Sequence, residues 1–166
     1  IEPAPGTVRE GGALTSDGNY IYGLRGDNTN VFWRYNVITN TWATMATAPA
    51  TVNVGGSLVH LGDYIYAFGG NSTTNFWRYD IAGNSWSSMT AAPAIVGEGG
   101  ALTTDGTLIY GFQGGDSNSF WSYNPGTNSW TILAVSPANV KKGGALVHSV
   151  SDGYIYALIG DSKTFR

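Results

Sequence analysis

The sequence contains no cysteine. That excludes disulfides, thiol nucleophiles and thiolate metal ligands together. Charge is also scarce: only 11% of the 166 residues are Asp, Glu, Lys or Arg, and the formal net charge is −3. The eight basic residues are scattered, so the chain builds no field suited to nucleic acid. No apolar run approaches the ~18 residues of a membrane span. No signal peptide pattern is visible. No stretch keeps a helical period beyond a turn or two, so essentially no helix is expected. His60 and His148 are the only histidines. They hold the same repeat position with no carboxylate cluster near them in sequence, so repeat inheritance explains them more simply than a metal site, and no cofactor is expected.

What is present is glycine, aromatic surface and periodicity. The chain has 24 glycines, 13% aromatic and 42% hydrophobic residues, a composition far from disorder and sufficient for one domain with a substantial core. Gly11-Gly12 returns as Gly55-Gly56, Gly99-Gly100 and Gly143-Gly144, each time after 44 residues. Pro5, Pro49, Pro93 and Pro137 stand six residues ahead of each pair, and Trp42, Trp86 and Trp130 keep the same interval. The repeat units run from about 11 to 54, 55 to 98, 99 to 142, and 143 to 166, the last incomplete.

Each unit reads as four short strands. In the first unit they fall at about Gly12 to Ser16, Tyr20 to Leu24, Val31 to Tyr35 and Thr41 to Met45. Asp17-Gly18, Gly62-Asp63, Asp105-Gly106 and Asp152-Gly153 supply the turn chemistry between first and second strands. The strands are apolar on both faces, with Phe76 and Arg78 on one side and Trp77 and Tyr79 on the other. Four-stranded sheets stacked radially bury both faces, and a lone antiparallel sheet does not. The expected fold is an all-β propeller segment of about three and a half four-stranded blades. Gly56 and Gly100 are expected on the innermost strand, where valine would overpack at a cost of roughly 1–3 kcal/mol. The tryptophans all fall on recurring strand positions, which marks them as core packing rather than a stacking surface for sugars.

A glycine pair closing the second strand, an aromatic-Tyr-Asp/Asn run and then Asn-x-Trp resembles the kelch repeat. Gly69-Gly70, Tyr79-Asp80 and Asn84-Ser85-Trp86 carry the likeness best, and it extends over nearly the whole chain. Arg25-Gly26 and Ile159-Gly160 replace the pair in the first and last units, and the His and Trp-Asp signatures of WD propellers are absent. The resemblance implies that ligands bind where first strands begin and second strands end. Arg9, Glu10, Arg25, Glu98, Gln113, Lys141 and Lys142 map to that face. Such a ring can hydrogen-bond a sugar or a peptide terminus, or serve only as the solvated rim of a channel. If it binds a ligand, removing both Glu10 and Glu98 is expected to abolish binding. Sugar-epimerising kelch enzymes imply a general acid or base at Glu10 or Glu98, but no spacing fixes such geometry and no catalytic residue is assigned. The copper oxidases built on kelch-like propellers use a cysteine cross-linked to tyrosine, which this chain lacks.

Two finer patterns concern assembly and location. Units one and three share ALTSDG and ALTTDG, while two and four share SLVH and ALVH, as if a pair of blades had been duplicated. Ile1 aligns with the tail of a fourth strand and Phe165-Arg166 with the start of a third. The expectation is a non-enzymatic structural or interaction module that joins further blades, from the same polypeptide or from another copy of itself, two copies giving about seven blades. A glycan- or protein-binding propeller is the alternative, and a sugar-processing enzyme of epimerase or mutarotase type is weaker. Few lysines and many Ser, Thr, Asn and Gly suggest an extracellular or cell-surface location. Asn71-Ser72-Thr73 is a sequon for N-glycosylation on the turn between second and third strands.

Overall fold

The computed structural model describes residues 1 to 160, which contain fourteen strands and no helix. The first blade is β1 (Ala13–Ser16), β2 (Tyr20–Leu24), β3 (Phe32–Asn36) and β4 (Thr41–Thr44). The second is β5 (Ser57–Leu61), β6 (Tyr64–Phe68), β7 (Phe76–Asp80) and β8 (Ser85–Ser88). The third is β9 (Ala101–Thr104), β10 (Ile109–Phe112), β11 (Phe120–Asn124) and β12 (Ser129–Ile132). β13 (Ala145–His148) and β14 (Ile155–Leu158) form the inner half of a fourth. Strands within a blade pair antiparallel in chain order, and the first strands of successive blades lie side by side. This is a β-propeller segment. The third strand expected to start at Phe165-Arg166 lies outside the described residues.

Alternation along each strand feeds two interfaces. Trp77 and Tyr79 of β7 join the core shared with the first blade, and Phe76 joins the core shared with the third. Phe76 meets Tyr123 at 4.7 Å and Trp130 at 4.8 Å, both edge to face. Phe32 meets Tyr79 and Trp86 in the same way one interface earlier, at 4.8 and 5.0 Å. Such ring pairs add to the area they bury, so each of these two interfaces is braced by one phenylalanine wedged between the next blade's tyrosine and tryptophan.

The glycine pairs build the turns that enter each inner strand. The N–H groups of Gly12, Gly56, Gly100 and Gly144 donate to the carbonyls three residues back, at 2.8 to 3.0 Å. The first glycine of each pair sits third in this turn with φ between 79° and 85°, the left-handed region where a Cβ is disfavoured. Turns of adjacent blades also touch. A Cβ on Gly99 would strike the Lys141 carbonyl of the following blade. Gly56 and Gly100 lie one residue ahead of β5 and β9 rather than on them, yet the crowding is as expected: a Cβ on Gly56 would stand 2.6 Å from the Gly11 carbonyl oxygen. At the end of the second strand the glycine held in register is the second one only. Gly26, Gly70, Gly114 and Gly160 all have positive φ, while the preceding position is Arg25, Gly69, Gln113 or Ile159.

The Asn-x-Trp motif is an inter-blade latch. Asn84 sits at φ 46° on the turn between β7 and β8. Its Oδ1 accepts the Tyr79 hydroxyl at 2.8 Å and the Ala46 N–H of the preceding blade's tail at 2.9 Å. The Trp86 Nε1–H then donates to the Ala46 carbonyl at 2.9 Å. One main-chain unit is thus held by both its donor and its acceptor. Asn128 and Trp130 grip Thr90 identically, and Asn40 and Trp42 grip Glu2.

Candidate functional site

All seven charged or amide residues singled out above lie on the face formed by these glycine turns. Glu10, Glu98 and Lys142 occupy the second turn position, with Val54 in the second blade. Arg9 and Lys141 occupy the first, and Arg25 and Gln113 directly follow the second strands: the Arg9 N–H donates to the Arg25 carbonyl, and the Gly97 N–H to the Gln113 carbonyl. The structure divides them into two clusters. In the first blade, Arg9 Nε and Arg25 Nη2 approach Asp27 Oδ2 at 3.8 and 3.7 Å, and Arg25 Nε donates to the Thr7 carbonyl at 3.1 Å. Between the third and fourth blades, Lys142 Nζ stands 3.7 Å from Glu98 Oε1, and Lys141 Nζ stands 3.7 Å from Asp116 Oδ1. These four line a hollow of about 290 Å³ with Gly115. Glu10 is exposed and joins no ion pair among the described residues. Gln113 is occupied, its Oε1 accepting the Ser117 hydroxyl at 2.9 Å.

The Glu98–Lys142 and Asp116–Lys141 pairs are largely solvent-exposed, so each contributes at most about 1 kcal/mol to stability. Pairs that weak exchange readily for the ions of a ligand. Asp27 and Asp116 are the partners that the sequence reading missed. They sit at successive, not equivalent, positions of the turn between second and third strands, so repeat alignment does not bring them together. Asn71 is exposed on the second blade's copy of that turn, and its Nδ2 donates to Asn28 Oδ1 at 3.3 Å.

The opposite face carries the turns between first and second strands. Asp17 Oδ1 accepts the N–H groups of Asn19 and Tyr20 at 2.8 and 2.7 Å, and its Oδ2 accepts the Tyr22 hydroxyl at 3.0 Å. Asp105 does the same for Thr107, Leu108 and Tyr110. His60 faces this turn across the blade junction, in a shallow hollow with Asp17, Asn19 and Asp63, and its Nε2 bonds the Gly62 carbonyl oxygen at 2.7 Å. Among the described residues no three His, Asp or Glu side chains cluster as metal ligands.

Burial opposes ionisation of Asp17, but the backbone N–H groups of Tyr20 and Asn19 and the Tyr22 hydroxyl outweigh it and hold the carboxyl below its ordinary value. Burial, and next the bond to Asp17, push Tyr22 up to about 12. A carboxylate depressed in the folded state stabilises fully above its unfolded pKa of about 3.9 and stops doing so as pH falls through the folded value. Stability is therefore expected to fall with acidification below about pH 4. Asp17→Asn, which cannot ionise, should flatten that decline when urea midpoints are compared between neutral and acid pH. Equal acid dependence in both proteins would refute the assignment.

No protein-family model matches the chain, and no curated protein sequence matches it. Among solved structures, one titled "Structure of YjhT" superposes with a TM-score of 0.78 at 16% sequence identity. The match covers 95% of this chain and 60% of that one, so the chain spans less than two thirds of its neighbour's length. At that identity the likeness is one of fold, and the fold is the β-propeller.

Proposed function

We propose that the chain is a non-enzymatic interaction module, a kelch-like propeller segment whose open flank binds a further blade of its own type. The Gly70, Tyr79-Asp80 and Asn84-Ser85-Trp86 pattern, with its latch, supports the kelch-like reading. One observation carries the interaction reading. Leu14 is 67% exposed, whereas Leu58 and Leu102, its equivalents in the next two blades, are each 6% exposed beneath a preceding blade. Around Leu14 lies a largely apolar hollow of about 440 Å³ bounded by Ala13, Gly23, Leu24, Trp33 and Trp42. In the third blade the same seat is filled: Phe68 of the second blade reaches within 3.0 Å of where a Cβ on Gly111 would stand. Gly23 is the first blade's copy of Gly111. The complementary flank exposes Val147 and Leu158. The incoming blade is supplied either by more of the same polypeptide or by a second copy, and a preparation of these 166 residues tests the second. The polar, lysine-poor composition supports a location outside the cell or at its surface.

Sedimentation at rising micromolar concentration is expected to show reversible association, and Leu14→Glu should abolish it without lowering the urea midpoint. A chain that stays monomeric throughout would overturn self-assembly.

The charged face supports a second reading, a glycan- or peptide-binding site, because the Glu98–Lys142 and Asp116–Lys141 pairs converge on one hollow. A hit in a glycan and peptide screen should disappear in the Glu10→Ala, Glu98→Ala double variant while the melting temperature holds. Undiminished binding would end this reading.

A further inference from the structure

A second groove, of about 570 Å³, lies on the face opposite the charged rim, between the second and third blades. Asp63, Tyr64, Tyr66 and Arg78 line one side, and Thr107 and Asn124 the other. Its volume suits a small ligand. The Arg78 guanidinium is stacked over the Tyr64 ring, 4.2 Å from its centre. Face-on stacking fixes the planar group and leaves its in-plane N–H donors clear of the ring. Among the described residues no carboxylate lies within ion-pair distance of Arg78.

The other complete blades show how unusual this is. In the first blade Arg34 stacks on Tyr20 at 4.3 Å, but Asp17 places a carboxylate on the adjoining Tyr22 hydroxyl. In the third, Asp105 caps Tyr110 and the arginine position is Ser122. In the second, the position equivalent to Asp17 and Asp105 is Leu61. The Arg–Tyr–Tyr cluster is retained there, its internal carboxylate is missing, and the space beside it is open. The Tyr66 hydroxyl is protonated at neutral pH like any phenol, and burial raises its pKa further against the opposing contact of Arg78.

We propose that this groove binds a small hydroxylated monocarboxylate, a sugar acid of the uronate kind. Its carboxylate accepts the Tyr66 hydroxyl, as Asp17 accepts that of Tyr22 in the first blade, and in addition pairs with Arg78. Asp63 and Asn124 on the groove walls are placed for the ligand's hydroxyl groups. The site is on another face from the charged rim and does not depend on blade association.

The test is a titration of the whole chain with glucuronate, read by nuclear magnetic resonance, with glucose alongside. Saturable shifts at Tyr64, Tyr66 and Arg78 are expected in the millimolar range, with glucose at least about tenfold weaker. Arg78→Ser, which installs the third blade's residue, should weaken glucuronate at least about tenfold, and so should Leu61→Asp, which restores the first blade's internal carboxylate. The same spectra report whether each variant is folded. Absence of saturable binding, equal binding of glucose, or unchanged affinity in either folded variant would overturn the proposal.

Discussion

Asn84→Ala is expected to destabilise the chain by about 3 kcal/mol, a large share of the roughly 5–15 kcal/mol that holds a domain folded. Three losses coincide. The Tyr79 hydroxyl, on a residue with 0% exposure, loses its acceptor. The Ala46 N–H loses its partner across the blade junction. Alanine must also adopt φ 46°, which asparagine tolerates better. The orphaned Tyr79 hydroxyl costs about 1–3 kcal/mol, the more exposed Ala46 N–H less because water can replace its partner, and the backbone strain adds about 1. Companion variants separate these contributions. Asn84→Gly keeps the turn and loses the acceptor, and should cost about 2 kcal/mol. Asn84→Asp keeps the acceptor and should cost under about 1 kcal/mol. Urea unfolding followed by tryptophan fluorescence measures all three. An alanine variant within about 0.5 kcal/mol of the parent would show that the latch contributes nothing, since that is the ordinary scatter of surface substitutions.

Gly99→Ala should be the most damaging single-methyl change in the chain, at about 3–5 kcal/mol. The residue has φ 85°, and its new Cβ would run into the Lys141 carbonyl, which belongs to a backbone turn and cannot swing aside as a side chain would. Gly106 supplies the comparison. Its φ is 94°, equally unfavourable for alanine, but nothing lies within 4 Å of its Cβ position. Gly106→Ala should therefore cost only the backbone strain, about 1 kcal/mol. The difference between the two variants isolates the crowding of adjacent inner turns. Equal midpoints for both would mean that those turns are not packed against one another.

The repeat interval made the fold legible, because the same aromatic, glycine and asparagine positions recur at a fixed spacing. The partners of those positions were not legible. Asn84 announces a turn, but the amide it holds belongs to Ala46, 38 residues away in another blade. The alignment of units assigns the charged residues to one face, yet their division into two clusters depends on Asp27 and Asp116, whose turn positions differ by one residue. Leu61 is the reverse case. Its departure from Asp17 and Asp105 is plain in the alignment of units, but its meaning emerges only when Arg78 and the open groove stand beside it. Repetition exposes what is shared between blades, and chemistry specific to one blade is carried by the exceptions.

The latch grips each segment through the main-chain N–H and carbonyl of one residue, and only Thr90 adds a side-chain bond, its hydroxyl donating to the Asn128 carbonyl at 2.6 Å. Glu2, Ala46 and Thr90 are an acid, a small apolar residue and a hydroxyl residue, and all three are gripped through the same N–H and carbonyl. Substitution at that seat by any residue but proline therefore keeps the two shared bonds. A lineage that gains or loses a pair of blades keeps a working fastening at each new junction, because what the fastening recognises is the main-chain N–H and carbonyl that every residue but proline carries.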